Sequence, residues 1–289
     1  MGRTVFVNGE YVPEENAKVS IFDRGYLFAD GAYEVVPVIN GRLVDAERML
    51  ARLENSLTAL QIAWPMEKAD FIAMHEELIR RNRLKEGMIY SQITRGVAER
   101  DFAFPRRALP SVIAFTKELV IVDNPRAETG VSVAFVDDVR WKLRHIKSIS
   151  LLGQVLAKQQ AVEKRAFEGW MVEDGHVTEG CSSSAYIVKD GTIITHPLEG
   201  GHILPGIRRS VILELAEKEG IPVELRPFTP EEALAADEAF ASAATFGVLP
   251  VTEIEGKPVG DGTPGPIARR LRALYLEHAL KQVNEPDQN

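Results

Sequence analysis

Residues 34–60, EVVPVINGRLVDAERMLARLENSLTAL, contain the change of apolar period on which the fold reading turns. EVVPVI and RLV flank Asn40-Gly41, a dipeptide that suits the tight turn of a hairpin. From Asp45 the spacing changes, and Met49, Leu50, Leu53, Leu57 and Leu60 fall on one face of a helix that Asp45 is placed to cap. Upstream, Asn8-Gly9 marks another hairpin. Downstream, a second helical pattern covers about residues 66–83, and strand-like runs return at 88–94 and 111–116. Strands with helices inserted between them, rather than strict βαβ alternation, predict an α+β unit over residues 1–120.

The next stretch, IVDNPRAETG at 121–130, is polar and turn-prone and is expected to link this unit to a second one over 131–289. There the pattern predicts a strand at 131–135 and a helix over about 150–167. A strand-rich region follows, punctuated by Asp174-Gly175 and Asp190-Gly191. Helices are expected near 207–219, closed by Gly220, and near 266–282, with the final NEPDQN frayed.

Composition narrows the function classes. Among 289 residues, 34 Lys+Arg stand against 42 Asp+Glu, a formal charge of −8, and no basic block offers a nucleic acid its counter-charge. The single cysteine, Cys181, excludes an intrachain disulfide and a cysteine-built zinc site. The polar N-terminus does not read as a signal peptide, and no run approaches the roughly 18 apolar residues that cross a bilayer. A soluble, cytoplasmic protein with no membrane or nucleic-acid partner is therefore expected.

Several motifs are missing. The chain has no G-x-x-x-x-G-K-[ST], no G-x-G-x-x-G after a strand, and no H-E-x-x-H, and its six histidines show no metal-ligand spacing. Three features remain that could together serve a cofactor with an aldehyde, a basic ring nitrogen and a phosphate. Lys147 lies between a polar loop and an apolar helix, where a desolvated amine could form a Schiff base. Glu179 precedes a glycine and a serine run, and a carboxylate can keep a pyridine nitrogen protonated. Pro205-Gly206 leads directly into a helical pattern, whose free N–H groups seat a phosphate. By spacing alone each has a plainer reading: a solvated lysine, a surface glutamate, an ordinary helix entry.

Four ordered segments add a resemblance. DRGYLFADGAYEVV at 23–36, RWKLRHIKSISLLGQVLAKQQA at 140–161, VTEGCSSSAYIV at 177–188 and ILPGIRRSVI at 203–212 resemble the class IV aminotransferases. These are the fold type IV pyridoxal phosphate enzymes, and within them the similarity is strongest to the D-amino acid aminotransferases. The resemblance spans residues 5–251. It implies a two-domain α+β protein with a smaller N-terminal domain and a larger strand-rich C-terminal domain that carries helices and binds pyridoxal 5'-phosphate.

The resemblance also assigns roles. Lys147 is implied as the Schiff-base lysine and proton shuttle, and Glu179 as partner of the ring nitrogen. Arg52 and the backbone amides of Ile207 and Arg208 are implied at the phosphate, Leu204 against the ring and Ser182 beside it. Tyr33 and Arg100 match groups that bind the substrate carboxylate, with Arg100 reaching in from the other subunit of a homodimer; Glu34 matches a carboxylate near the lysine. Two positions depart from the family pattern. Phe102 stands where a histidine is common, and Ala244 where a hydroxyl residue helps to hold the phosphate, with Thr245 next to it as a substitute.

The implied activity is ping-pong amino transfer between a D-amino acid and a 2-oxo acid. The same fold also admits a branched-chain L-amino acid aminotransferase, an (R)-selective amine transaminase or an aminodeoxychorismate lyase. From other classes, a hydrolase using Ser183 or Cys181 and a catalytically silent scaffold are the competing readings.

Overall fold

A computed structural model describes residues 2–284. They form two compact units, one of residues 2–120, 146–150 and 281–284, the other of residues 121–145 and 151–280. Among the described residues no helix is long and apolar enough to cross a membrane.

The first unit is built on a six-stranded antiparallel sheet. Its strands are β1 (Thr4–Val7), β2 (Glu10–Pro13), β3 (Gly31–Ile39), β4 (Arg42–Leu43), β5 (Gly87–Thr94) and β6 (Ser111–Glu118), in the order β2-β1-β6-β5-β3-β4. After the short helix α1 (Arg24–Phe28), β3 pairs with β5 from Gly31↔Thr94 to Val38↔Gly87. Alternation along β3 buries Ala32, Glu34, Val36 and Val38 and leaves Tyr33 and Val35 half-buried on the opposite face. Helix α2 (Ala46–Ala59) buries Met49, Leu53, Ser56 and Leu57, and α3 (Lys68–Asn82) buries Phe71, Met74, His75, Leu78 and Ile79. Each fully buried Leu contributes roughly 1.5–3 kcal/mol. Leu50 and Leu60 are only half-buried, because the true 3.6-residue period carries them to the edge of the apolar stripe.

Asp45 does stand at the N-cap of α2, but its side chain makes no capping bond. It occupies the left-handed region, and its Oδ1 accepts from Gln282 Nε2 at 2.9 Å. The cap position is therefore held by a tertiary contact instead of a local one.

The second unit contains α4 (Arg126–Thr129), β7 (Val131–Asp137), α5 (Leu152–Glu163), β8 (Glu168–Glu173), β9 (His176–Gly180), β10 (Ser184–Lys189), β11 (Thr192–Thr195), α6 (Ile207–Lys218), β12 (Val223–Leu225), α7 (Pro230–Leu234), β13 (Glu238–Ala243), β14 (Gly247–Ile254), β15 (Lys257–Pro258) and α8 (Pro266–Asn284), whose last turn falls in the first unit. Eight strands follow the order β12-β11-β10-β13-β14-β7-β8-β9, with β15 on β14. The sheet is mixed, parallel at β11/β12, β14/β7 and β7/β8. On one face of β13 Ala239, Ala241 and Ala243 share a core with Trp170, Phe228 and Phe246, and on the other Tyr186 stacks on Phe240 at 4.4 Å.

Three sequence expectations are altered here. Residues 121–130 do not run free: Ile121 and Ala127 are buried, α4 lies within the stretch, and Arg272 Nη2 donates to the carbonyls of Ile121 and Val122 at 2.6 and 2.9 Å. The helix expected over 150–167 spans only Leu152–Glu163, since Arg165 turns left-handed (φ 61°) and starts the approach to β8. Of the terminal NEPDQN, Asn284 still belongs to α8, and the other five residues lie outside the described residues.

Candidate active site

In the first unit Lys147 is pinned along β3. Its carbonyl accepts Tyr33 N–H at 3.0 Å, its own N–H donates to Ser56 Oγ at 3.1 Å, and Ile149 N–H donates to Gly31 O at 3.1 Å. A Cβ at Gly31 would lie 2.5 Å from Ile93 O of β5 and 3.1 Å from Ile149 Cδ1, so glycine lets β3 fit between the two. The half-buried Lys147 side chain then places Nζ 4.2 Å from the centroid of the Tyr33 ring. Among the described residues no carboxylate lies within ion-pair distance of that amine. Tyr33 stacks on Tyr90 at 5.5 Å and Tyr90 on Phe115 at 5.0 Å, and burial pushes the Tyr90 phenol above its usual range, with Tyr33 adding to the shift.

Glu34, the neighbour of Tyr33 in the chain, points to the buried face of β3 and is 0% exposed. Arg52 grips it through Nε at 2.8 Å and Nη2 at 2.6 Å, a bidentate pair. Arg100 is placed elsewhere. It is exposed, with its guanidinium 5.5 Å from each of the Phe28 and Phe102 rings, and it contacts neither Tyr33 nor Lys147. Arg24 fixes this loop by donating to Asp101 O at 2.6 Å while pairing with Asp30 at 2.8 Å.

In the second unit Glu179 stands next to the last residue of β9 with its carboxylate buried. Two hydrogen bonds converge on Oε1, one from Arg140 Nη1 and one from Leu204 N–H at 3.0 Å. Burial pushes the Glu179 carboxyl above its usual range against the opposing pull of Arg140 and the Leu204 amide. Leu204 is half-buried, and two residues on, Gly206 opens α6 as an N-cap with no side-chain hydrogen bond. A Cβ on Gly206 would come within 3.0 Å of Ser184 Oγ, so the helix entry is narrow as well as positive.

Ile207 and Arg208 are buried in the first turn of α6. The Arg208 side chain leaves the helix entry and donates to Tyr275 OH at 2.7 Å, so what it brings to the entry is backbone only. Arg209 is also buried; Nη2 donates to His196 O at 2.8 Å and Nε has no hydrogen-bond partner. Ser182 is exposed and donates to Glu168 Oε2 at 2.6 Å, with Ser183 Oγ 3.3 Å from the same oxygen. Ala244 and Thr245 lie half-buried in the turn between β13 and β14.

These surroundings do not suit Ser183 or Cys181 as a hydrolase nucleophile. Ser183 meets a glutamate instead of a histidine, and burial, with Glu168 adding to it, pushes the Cys181 thiol up to about 12. Among the described residues no cluster of three or more His, Cys, Asp or Glu could hold a metal. The amino-transferase class IV family model matches residues 31–254. The chain belongs to the class IV aminotransferases. It is similar to the D-alanine aminotransferase of Staphylococcus aureus (strain MSSA476), 41% identical over 277 residues, 95% of this chain and 97% of that one. The D-alanine aminotransferase of Bacillus licheniformis is 38% identical over 281 residues, 96% of this chain and 98% of its own. In fold it is similar to the branched-chain amino acid aminotransferase from Thermobaculum terrenum in its PLP-form, at TM-score 0.83 and 22% identity, covering 97% of this chain and 95% of that one.

Within this aminotransferase the structure brings Lys147 to Tyr33, Arg52 to Glu34, and Glu179 to Leu204. Sequence reasoning missed Arg140, Asp138 and Glu168. Arg140 lies inside a quoted segment, but nothing local ties it to Glu179, which is 39 residues away.

Proposed function

We propose that this class IV aminotransferase is a pyridoxal phosphate-dependent D-amino acid transaminase that passes an amino group from a D-amino acid to a 2-oxo acid by a ping-pong route. The observation that carries the reading is the Lys147 amine, held over the Tyr33 ring with no carboxylate of the described residues in ion-pair distance. The similarity to two D-alanine aminotransferases over nearly the whole chain supports the D-amino acid assignment. The residues present suit the cofactor. A lysine without a counter-ion, a buried carboxylate whose hydrogen bonds sit on one oxygen, and a glycine-capped helix entry match an aldehyde, a ring nitrogen and a phosphate respectively.

When bound, the cofactor supplies an electron-withdrawing ring and an aldehyde carbon. To the phosphate we assign Arg52, the amides of Ile207 and Arg208, and Thr245; to the ring, Leu204 and Ser182. Lys147 Nζ would hold the cofactor through its aldehyde carbon and would move the proton of the substrate Cα. Glu179 holds the proton at the ring nitrogen. Tyr33 takes the substrate carboxylate. Arg100 serves the same group across a homodimer, a role its exposed place beside the exposed Phe102 leaves open to a second copy. The lone, buried Cys181 is consistent with a cytoplasmic enzyme.

Borohydride trapping followed by peptide mapping tests the lysine, and the label is expected on Lys147. Half-reaction spectra with D-alanine, L-leucine and (R)-1-phenylethylamine test the substrate class. A response confined to D-alanine is expected; a response confined to L-leucine would move the enzyme to the branched-chain aminotransferases.

A further inference from the structure

Behind Glu179 the second unit contains a buried line of alternating charge. Arg140, which donates to Glu179, also clasps both oxygens of Asp138, with Nε at 2.9 Å and Nη2 at 2.7 Å. Asp138 Oδ2 accepts Thr178 Oγ1 at 2.7 Å and lies 3.3 Å from Arg144 Nη1. Arg144 in turn is bidentate on Glu173 at 2.8 and 2.7 Å, near the surface. The Arg140 and Asp138 side chains are 5% and 0% exposed, so this pair is hardly screened by water.

Three carboxylates alternate with two guanidinium groups, and the innermost carboxylate is the one assigned above to the ring nitrogen. An isolated buried glutamate would take up a proton and lose the charge that assignment needs. Arg140 opposes that uptake and, with the Leu204 amide, occupies Oε1, which leaves Oε2 for a further donor. Asp138 prevents Arg140 from swinging away, because the guanidinium fork has its other edge fixed.

We propose that Arg140, clamped by Asp138, is a positioning residue that aims the Glu179 carboxylate and keeps it an anion for the cofactor's ring nitrogen. This rests on the function proposed above. A merely structural ion-pair network would change stability and leave the protonation of the ring untouched. The line also sets a gradient: the effect of neutralising one member declines from Arg140 through Asp138 to Glu173.

The test uses the full-length enzyme loaded with pyridoxal phosphate carrying an isotopically labelled ring nitrogen, read by nuclear magnetic resonance. The wild type is expected to show a protonated nitrogen, and Arg140→Gln to move the signal to the unprotonated position. By analogy with partners one shell removed from a metal, kcat is expected to fall about 10- to 100-fold. Arg140→Lys, which keeps the charge, returns the signal to the protonated position. Asp138→Asn gives an intermediate signal, and this variant decides the matter if Arg140→Gln does not fold. An unchanged signal in the variants of a loaded enzyme overturns this inference alone. A wild type that takes up no pyridoxal phosphate overturns the functional reading, and this inference with it.

Discussion

Lys147 and Glu179 are treated in opposite ways by their surroundings. The Lys147 amine lies over the Tyr33 ring at 4.2 Å with no carboxylate of the described residues in ion-pair distance, while the Glu179 carboxylate is buried and backed by Arg140 and the Leu204 amide. The glutamate next to Tyr33 in the chain could have supplied a counter-ion, yet β3 turns Glu34 to the other face, where Arg52 takes it. The difference suits the roles proposed for them. An amine proposed to form a Schiff base has no salt bridge to break first. A buried carboxylate favours its charged form only beside a cation.

The largest test of this contrast is Lys147→Ala. Turnover is expected to fall by about 10⁴-fold or more, and the visible absorption of the loaded enzyme to vanish; a variant that retains both breaks the assignment. Glu179→Gln should cost about 10²- to 10³-fold in kcat while cofactor stays bound, as read by absorbance after gel filtration. Loss of cofactor at unchanged intrinsic rate would instead make Glu179 a binding residue only.

Acid separates the two regions by stability. His75, buried in α3 with Nδ1 2.6 Å from Phe71 O, is pulled down to about 4 by burial. Its neutral form is the one that folds, so the unfolded chain binds the extra proton. Stability should be full above about pH 6.5 and fall as pH drops toward 4, by about 3 kcal/mol. In a pH series of urea unfolding, His75→Leu should lose this slope; an identical slope in the variant would refute it. Asp138 has the same sign in a more acid window. Burial works to raise it, but Arg140, with help from Thr178 and Arg144, holds its carboxyl below the usual range, so its contribution is full above about pH 3.8 and is lost as pH falls below that.

The smallest effect is expected at Phe102, which is 78% exposed. Phe102→His should leave the melting temperature nearly unmoved, within about 0.5 kcal/mol. If the side chain faces a substrate carboxylate across a homodimer, the variant should gain about 1.5–3 kcal/mol in kcat/KM for D-alanine, the worth of one charge-assisted hydrogen bond. No gain would place Phe102, and Arg100 beside it, away from the substrate.

Much of the scaffold was legible in the chain because its signals are local. Asn8-Gly9, Asn40-Gly41, Asp174-Gly175 and Asp190-Gly191 each pair a left-handed residue with a positive-φ glycine, and all four turns occur where the dipeptides predict them. Gly206 at the start of α6 and Gly220 just past its end were equally readable. Asp45 was not, because its left-handed backbone and its bond to Gln282 depend on a segment far along the chain. Arg208 shows both sides: its amide position could be read from Pro205-Gly206, whereas its side chain's departure to Tyr275 could not.

Residue order alone therefore determined the α+β layout, the turns, the helix entry at Gly206 and, through four ordered segments, the family with its lysine. Period, turn chemistry and capping act within a few residues, and each leaves its mark in the string. The folded chain alone decided that Lys147 lies over an aromatic face, that Glu34 belongs to Arg52, and that Asp138 and Arg140 stand behind Glu179. Those pairings join segments of different elements, and only the packing of whole sheets and helices sets which charges meet out of water.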